Sequence, residues 1–532
     1  MRYYKDLREH LAALEKAGRL TRIRSLINKD TEMHPLVRLQ FLGLTEEKRT
    51  AFFFDNITDS RGKRYRMPYV VGSAAASRGI YALGMMCEPD QIGDKWLHAQ
   101  THPIAPKLVA SGPVQEVVYT AEEIKREGIT MLPIPISTPG FDNAPYTSAS
   151  NWITKDPESG IRNVGNYRGQ VKAPDRFGCF FGLGQGARIH WEKCRARGIP
   201  LQAAMVIGAP PNISYVAISK FPEDVDELAI AGGIAGEPVE VVKCKTVDLE
   251  VPAHAEIVVE GIIPTDSVEP EGPFGEMTGF MASREISPYM NVTCITHRRD
   301  PICQGFISQF PPSESSKIRQ ISWEQVVYKM LKVDCGMKNV VDVVFHESSG
   351  SWGLCVIRLQ QPERPQTQAI FKAVGERFWG GKMIVLVDED IDPRNLESVI
   401  WAMSFRMQPH RDTDILRTKK LLALDYSIAP PEVGAGRKPG AQEDLESSCL
   451  LVDATLKWPY PPTSLPKKEL MEQALQVWER EGLPALNLRP PIWGYPLGYW
   501  TAQDEEEAEM ALKGDYFKTG EKAAQQRTKV SG

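Results

Sequence analysis

Apolar positions along the chain fall into three regimes. Between Asp6 and Gly18, Leu7, Leu11 and Leu14 recur at helical spacing, and Gly18 is placed to stop the helix. Ala51 to Phe54 and Tyr69 to Val71 are short strand-like runs, followed by a helical pattern from Arg78 to Leu83. Residues 1–110 therefore read as a small α/β domain. Proline, glycine and serine become frequent between Pro103 and Pro113, which marks a boundary.

From Tyr146 to Ile153 and from Asn163 to Val171 the pattern predicts two strands, joined by Asp156-Pro157-Glu158-Ser159-Gly160 as a hairpin turn. The β-branched runs Val239 to Val242 and Ala255 to Val259, bounded by Pro252 and Gly261, belong to further strands that continue to about Ile307. Long helices do not interrupt them, so residues 111–320 read as a mainly antiparallel sheet or barrel. Beyond Trp323 the pattern changes. Met383 to Val387 is an apolar strand, Asp392-Pro393 opens a helix to about Met403, and Leu421 to Leu424 is the next strand, a βαβ unit within residues 321–532. Glu469 to Glu481 is amphipathic and capped by Gly482, and Glu505 to Leu512 follows as a second tail helix. Such a tail either docks on a neighbouring subunit or stays solvated. The fold class is α+β.

Composition narrows the function. A chain of 532 residues is long enough for two or three cores, and its 63 basic against 68 acidic residues leave no positive excess for nucleic acid. No apolar run approaches the roughly 20 residues of a membrane span, and Met1-Arg2-Tyr3-Tyr4-Lys5-Asp6 leads straight into a charged amphipathic segment; a cytoplasmic protein is expected. Nine cysteines without a C-x-x-C pair argue for reduced thiols rather than disulfides or structural zinc.

Two stretches carry chemistry. Glu271-Gly272-Pro273-Phe274-Gly275-Glu276-Met277-Thr278-Gly279 sets two carboxylates five residues apart around a Gly-Pro and a Phe-Gly pair, a rigid turn presenting two acids. On spacing alone, both glutamates are equally ordinary solvated turn residues. Arg162-Asn163-Val164-Gly165-Asn166-Tyr167-Arg168 reads as a strand, with 164, 166 and 168 on one face and 163, 165 and 167 on the other. An arginine on the same sheet as two acids is suited to gripping a planar carboxylate with paired hydrogen bonds.

The run from Glu240 to Gly279, EVVKCKTVDLEVPAHAEIVVEGIIPTDSVEPEGPFGEMTG, together with Asn163 followed five positions later by Arg168, resembles the UbiD family of reversible, non-oxidative decarboxylases. Asp453-Ala454-Thr455-Leu456-Lys457-Trp458 is similar to a C-terminal signature of that family. The resemblance spans about Phe52 to Trp458. It implies an N-terminal α/β domain, a central flavin-reductase-like split β-barrel and a C-terminal α/β domain that assembles dimers or hexamers. It further implies prenylated FMN as covalent electron sink, supplied by a flavin prenyltransferase, and an aromatic or α,β-unsaturated acid, or its CoA thioester such as phthaloyl-CoA, as substrate.

The resemblance also distributes roles. Arg168 holds the substrate carboxylate, Glu271 pairs with Arg168, and Glu276 is the proton donor, its pKa raised beside the flavin. Asn163, Asn166, Tyr167, Arg168, Phe180, Phe181, Gly184 and Gln185 are expected around the cofactor. Asn163 and Glu227 correspond to ligands of a divalent ion such as Mn2+, and carbonyls near Val216, Ala217 and Ser219, with Glu227, to a potassium site. The family's histidine ligand falls closest to Leu183 here; Gln185 is a possible oxygen donor, and His190, the nearest imidazole, reads as an ordinary packed residue. Two other readings remain open at this level: a non-catalytic flavin-binding subunit, and a nicotinamide-dependent oxidoreductase faintly signalled by Gly182-Leu183-Gly184-Gln185-Gly186.

Overall fold

A computed structural model describes residues 2–182, 184–282, 284–377, 381–418, 424–428, 446–488 and 499–529. Its centre is a nine-stranded sheet. In spatial order it runs Arg162–Asn166, Ser150–Lys155, Leu201–Ile207, Ile257–Ile263, Tyr289–His297, Arg176–Cys179, Gly169–Ala173 and Tyr146–Thr147, with Val117–Tyr119 pairing Tyr289–His297 off this path. Its pairings are antiparallel, as the middle of the sequence predicts.

Curvature follows from connectivity. Arg162–Asn166 is the first strand in this order and Gly169–Ala173 the seventh, yet only Tyr167 and Arg168 separate them in the chain. In a flat sheet six strand spacings would span about 29 Å, whereas the three peptide steps from Asn166 to Gly169 reach about 11 Å at most. The sheet must curl until its ends meet, and Tyr167–Arg168 bridges the seam. The expectation of one strand from Asn163 to Val171 is corrected here: the chain leaves the ladder at Tyr167, so the alternation of faces does not extend to Arg168. The stretch from Tyr146 likewise divides, into Tyr146–Thr147 and Ser150–Lys155. Gly261 does not end its strand. Ile257–Ile263 runs through it with a register shift at Glu260/Gly261, where a Cβ would lie 2.5 Å from the Asn291 carbonyl oxygen.

Strands Leu20–Ile23, Ala51–Phe54, Tyr69–Val71 and Cys303–Gly305 make a second sheet, so a strand from well beyond the central sheet's start completes the N-terminal one. A third, mixed sheet runs Val340–Phe345, Leu354–Leu359, Met383–Asp388, Ser447–Asp453 and Thr413–Thr418. Its βαβ unit is Leu354–Leu359, helix Arg364–Arg377 and the parallel strand Met383–Asp388. The predicted Asp392-Pro393 helix begins later, at Leu396, because Asn395 caps it by accepting from Glu397 N. Leu421 to Ala423 of the predicted next strand, and the glycine- and proline-rich segment from Ala429, lie outside the described residues; Leu424 is in a turn.

Helix Glu314–Lys329 links the three sheets. Ser313 caps it, and almost its whole circumference is buried. Its first residue, Glu314, accepts from the backbone N–H groups of Gly72 (2.7 Å), Ala74 (2.9 Å) and Ala75 (3.3 Å), tying the N-terminal sheet to the helix start. Its far half packs Trp323 and Val327 against the third sheet. Tail helices Lys468–Arg480, Ala502–Leu512 and Tyr516–Gln525 bury no residue. No helix among the described residues is long and apolar enough to cross a membrane.

Candidate active site in the seam of the curled sheet

The seam link is fixed by its own carbonyl. Tyr167 O accepts from Ser150 Oγ (2.7 Å) and Trp152 Nε1 (2.9 Å), both buried. The Tyr167 ring folds back over Gly165, where a Cβ would fall 2.2 Å from it, and its hydroxyl accepts from Asn163 Nδ2 (3.2 Å) and Ala187 N (3.3 Å). Glycine at 165 is therefore what lets the chain turn and aim the next side chain, Arg168, inward.

Arg168 is buried and held by both acids of the predicted turn. Its Nε and Nη2 donate to Glu271 Oε1 (2.9 Å) and Oε2 (2.6 Å), a fork on a fully buried carboxylate, and its Nη1 donates to Glu276 Oε1. The Phe180 ring lies 4.1 Å from the guanidinium carbon and the Phe274 ring 5.2 Å. Glu271 ends the strand Glu269–Glu271, and Glu276 directly follows Phe274–Gly275, each paired in a short ladder of its own, so the turn is braced on both sides. At Gly275 a Cβ would sit 2.7 Å from Gln309 and Thr138, leaving room for glycine alone.

Burial pushes the Glu276 carboxyl above its ordinary range, with Arg168 and Arg319 pulling the other way. Burial alone would lower the Arg168 pKa, but Glu271 and Glu276 hold it above the usual arginine value. Glu276 keeps 14% of its side chain exposed, toward a cavity of about 940 Å³. A fixed cation between a fully buried carboxylate and one whose proton affinity burial raises is an arrangement for binding an anion and delivering a proton.

Of the predicted cofactor residues, Asn163, Asn166, Tyr167, Arg168, Phe180, Gly184 and Gln185 line this cavity; Phe181 packs edge-on against Tyr167 (5.1 Å) behind it. The cavity suits a flavin nucleotide. It is large enough, it exposes the glycines at the start of helix Gly186–Ala196, and the buried Asn166 Oδ1 has no partner. Ala217, Ser219 and Glu227 also line it, whereas Val216 lies in the apolar core. Glu227 is buried, accepts from Val164 N (3.0 Å), and is pushed up to about 8 by burial. Opposite Asn163 stands Gly186, where a Cβ would be 1.9 Å from the carboxamide oxygen. Leu183 lies outside the described residues. His190 is buried, shares a hydrogen bond between Nδ1 and Thr154 Oγ1 (2.8 Å), and borders the cavity. Among the described residues no group of three or more histidines, cysteines or acids could hold a metal. Asn163, Ala217, Ser219 and Glu227 bring oxygens to the cavity, donors of the kind that hard cations take.

The nicotinamide reading does not survive the topology. Strand Arg176–Cys179, which precedes the glycine-rich loop, has antiparallel neighbours on both sides, and the next strand, Leu201–Ile207, is not beside it. Sequence reasoning also missed Arg319, Trp323 and Asp425 on the cavity wall. No local pattern marked the first, because the helix bearing it is buried nearly all round.

Two family models match the chain: the 3-octaprenyl-4-hydroxybenzoate carboxy-lyase Rift-related domain of UbiD over residues 107–311, and the corresponding UbiD C-terminal domain over 320–448. An uncharacterised protein of Aquifex aeolicus is 29% identical over 517 residues, covering 90% of this chain and 99% of that one. Among solved structures, the UbiD-class enzyme HmfF of Pelotomaculum thermopropionicum in complex with FMN is 30% identical, with TM-score 0.73, over 85% of this chain and 94% of that one. The closed form of the Sedimentibacter hydroxybenzoicus vanillic acid decarboxylase is 27% identical, with TM-score 0.76, over 90% and 100%.

Proposed function

The chain belongs to the UbiD family of carboxy-lyases, and from that premise we propose reversible, non-oxidative loss of CO2 from an aromatic or α,β-unsaturated carboxylic acid, free or as its CoA thioester. The observation that carries this reading is Arg168 locked between Glu271 and Glu276 on the wall of a flavin-sized cavity. Bound prenylated FMN would supply the electron sink for the pair left by departing CO2, chemistry that no side chain offers.

The chain's own residues do the rest. Glu271, fully buried, fixes the plane of the Arg168 guanidinium and keeps it charged. Arg168 orients the substrate carboxylate through the N–H groups that neither Glu271 nor Glu276 uses. Glu276, its proton affinity raised by burial, delivers a proton from its carboxyl oxygen to the carbon vacated by CO2, and takes it back in the carboxylation direction. Phe180 and Phe274 cover the guanidinium and keep water from competing for it. The glycines at 182, 184 and 186 and the start of their helix would receive the flavin phosphate, and cations held by the oxygens of Asn163, Ala217, Ser219 and Glu227 would balance its charge.

The three unburied tail helices support assembly into a homo-oligomer, dimer or hexamer. The test of the activity is a panel of aromatic and cinnamic-type acids and thioesters, with CO2 detection, on protein produced alongside a flavin prenyltransferase. CO2 release from at least one acid, absent without prenylated flavin, is expected; release that persists in flavin-free protein overturns the proposal.

A further inference from the structure

Arg168 and Glu276 come from distant stretches of the chain, and one short segment touches the supports of both. Residues 138–146 lead into the edge strand Tyr146–Thr147, which pairs with Gly169–Ala173, the strand directly after Arg168. Ahead of the edge strand, Asn143 Oδ1 accepts from the buried Gln170 Nε2 (2.7 Å). The Tyr146 hydroxyl donates to Pro273 O (3.3 Å), and its ring lies 4.5 Å from that of Phe274, inside the turn that carries both acids. Thr138 Oγ1 and the Gln309 side chain close on Gly275, where a Cβ would be 2.7 Å from each.

Asp142 stands in the middle of this segment, behind the cavity wall rather than on it. Its Oδ2 accepts from Thr138 N (2.6 Å), and its own N–H donates to Thr138 O (3.0 Å), which closes the loop on itself. Gly275 and Ser137 direct further N–H groups at the carboxylate, without a full bond to its buried Oδ1. Burial pushes this carboxyl up to about 6, with the N–H groups of Thr138, Gly275 and Ser137 and the charge of Arg168 pulling the other way. A residue that only capped its own loop would need Thr138 N alone. This one also faces the peptide that precedes Glu276, whose own N–H is taken by Phe280 O (2.9 Å).

We propose that Asp142 is a positioning residue for the proton donor: through Thr138 and the Gly275 amide it fixes the peptide before Glu276, while Asn143 ties the same loop to the strand after Arg168. The loop thereby sets the distance between donor and guanidinium. The inference rests on the proton-donor reading of Glu276.

The test uses prenylated-flavin-loaded wild type, Asp142→Ala, Asp142→Asn, Glu276→Gln and the Asp142→Ala/Glu276→Gln double variant. CO2 release is read on the panel acid that wild type turns over fastest, and flavin absorbance and melting temperature report loading and folding. A donor displaced by about 1 Å costs up to about 10²-fold, so kcat should fall about 10- to 100-fold in Asp142→Ala. KM should stay within about threefold, because Arg168 and its Glu271 brace are untouched. Asparagine keeps one acceptor oxygen and should lose only about 3- to 10-fold, a loss that carries the test if the alanine variant does not fold. With Glu276 already replaced, Asp142→Ala should cost less than about threefold, since no donor is left to position. In flavin-free protein the infrared carboxyl band that disappears in Glu276→Gln should shift in both Asp142 variants. A kcat within about twofold of wild type in both Asp142 variants, a loss confined to KM, an equal loss with and without Glu276, or an unshifted carboxyl band overturns the proposal. Glu276→Gln at the wild-type rate removes the donor reading and this inference with it; a Glu276→Gln loss beside unimpaired Asp142 variants removes this inference alone.

Discussion

Replacing Glu271 by glutamine probes the brace on which the site depends. The Glu271 side chain has no exposure, and it receives two hydrogen bonds from Arg168, at 2.9 and 2.6 Å. Glutamine keeps the volume, removes the charge, and turns one acceptor into a donor facing the Arg168 N–H. Breaking a buried pair by neutralising one member costs about 3–5 kcal/mol. Arg168 still has Glu276 on its Nη1, so the lower end, about 3 kcal/mol, is expected here. For a core of this size that corresponds to a melting temperature lower by about 6–12 °C. Flavin-free protein is melted at pH 7 as wild type, Glu271→Gln, Arg168→Met and the double variant. The double variant should be less destabilised than the two singles summed, by about 1–3 kcal/mol of coupling. A Glu271→Gln protein melting within about 1 °C of wild type, or a cycle without coupling, would refute the reasoning.

Glu276→Gln should retain flavin yet lose about 10²- to 10⁴-fold in CO2 release, because the proton donor is gone; release at the wild-type rate removes Glu276 from the mechanism. A donor must be protonated, so kcat/KM should hold at pH values below the raised Glu276 pKa and fall as pH rises through it; a profile that instead rises over that range contradicts the assignment. Gly165→Ala would set a methyl group 2.2 Å from the Tyr167 ring, so the link should shift and Arg168 lose its aim. Wild-type activity in that variant argues against the seam as the positioning device.

How much of this was legible in the sequence differs by element. The helix carrying Leu7, Leu11 and Leu14 and the apolar strand at Met383 were readable because local periodicity decided them. The acids at 271 and 276 and the arginine at 168 were readable through their motif. Their pairing was implied by the resemblance alone: physically it depends on a sheet whose first and seventh strands meet, and closure of that kind leaves no local pattern. The break at Tyr167 was invisible for the same reason, since the ladder ends where curvature, rather than composition, requires it. Asn395 outcompeted Asp392-Pro393 as a helix start through a side-chain cap. Arg319 was hidden because the helix bearing it is buried nearly all round, which erases the amphipathic stripe that would have marked an inward-facing charge.

The most direct measurement is carboxyl exchange with ¹³C-labelled bicarbonate. Protein carrying prenylated flavin is incubated with each acid of the panel, and the label in the recovered acid is read by mass spectrometry. The account predicts label entering the carboxyl group of at least one acid in wild-type protein and none in flavin-free protein. Protein that holds prenylated flavin and exchanges label into no acid would be a passive flavin-binding subunit, contradicting the role given to Arg168, Glu271 and Glu276.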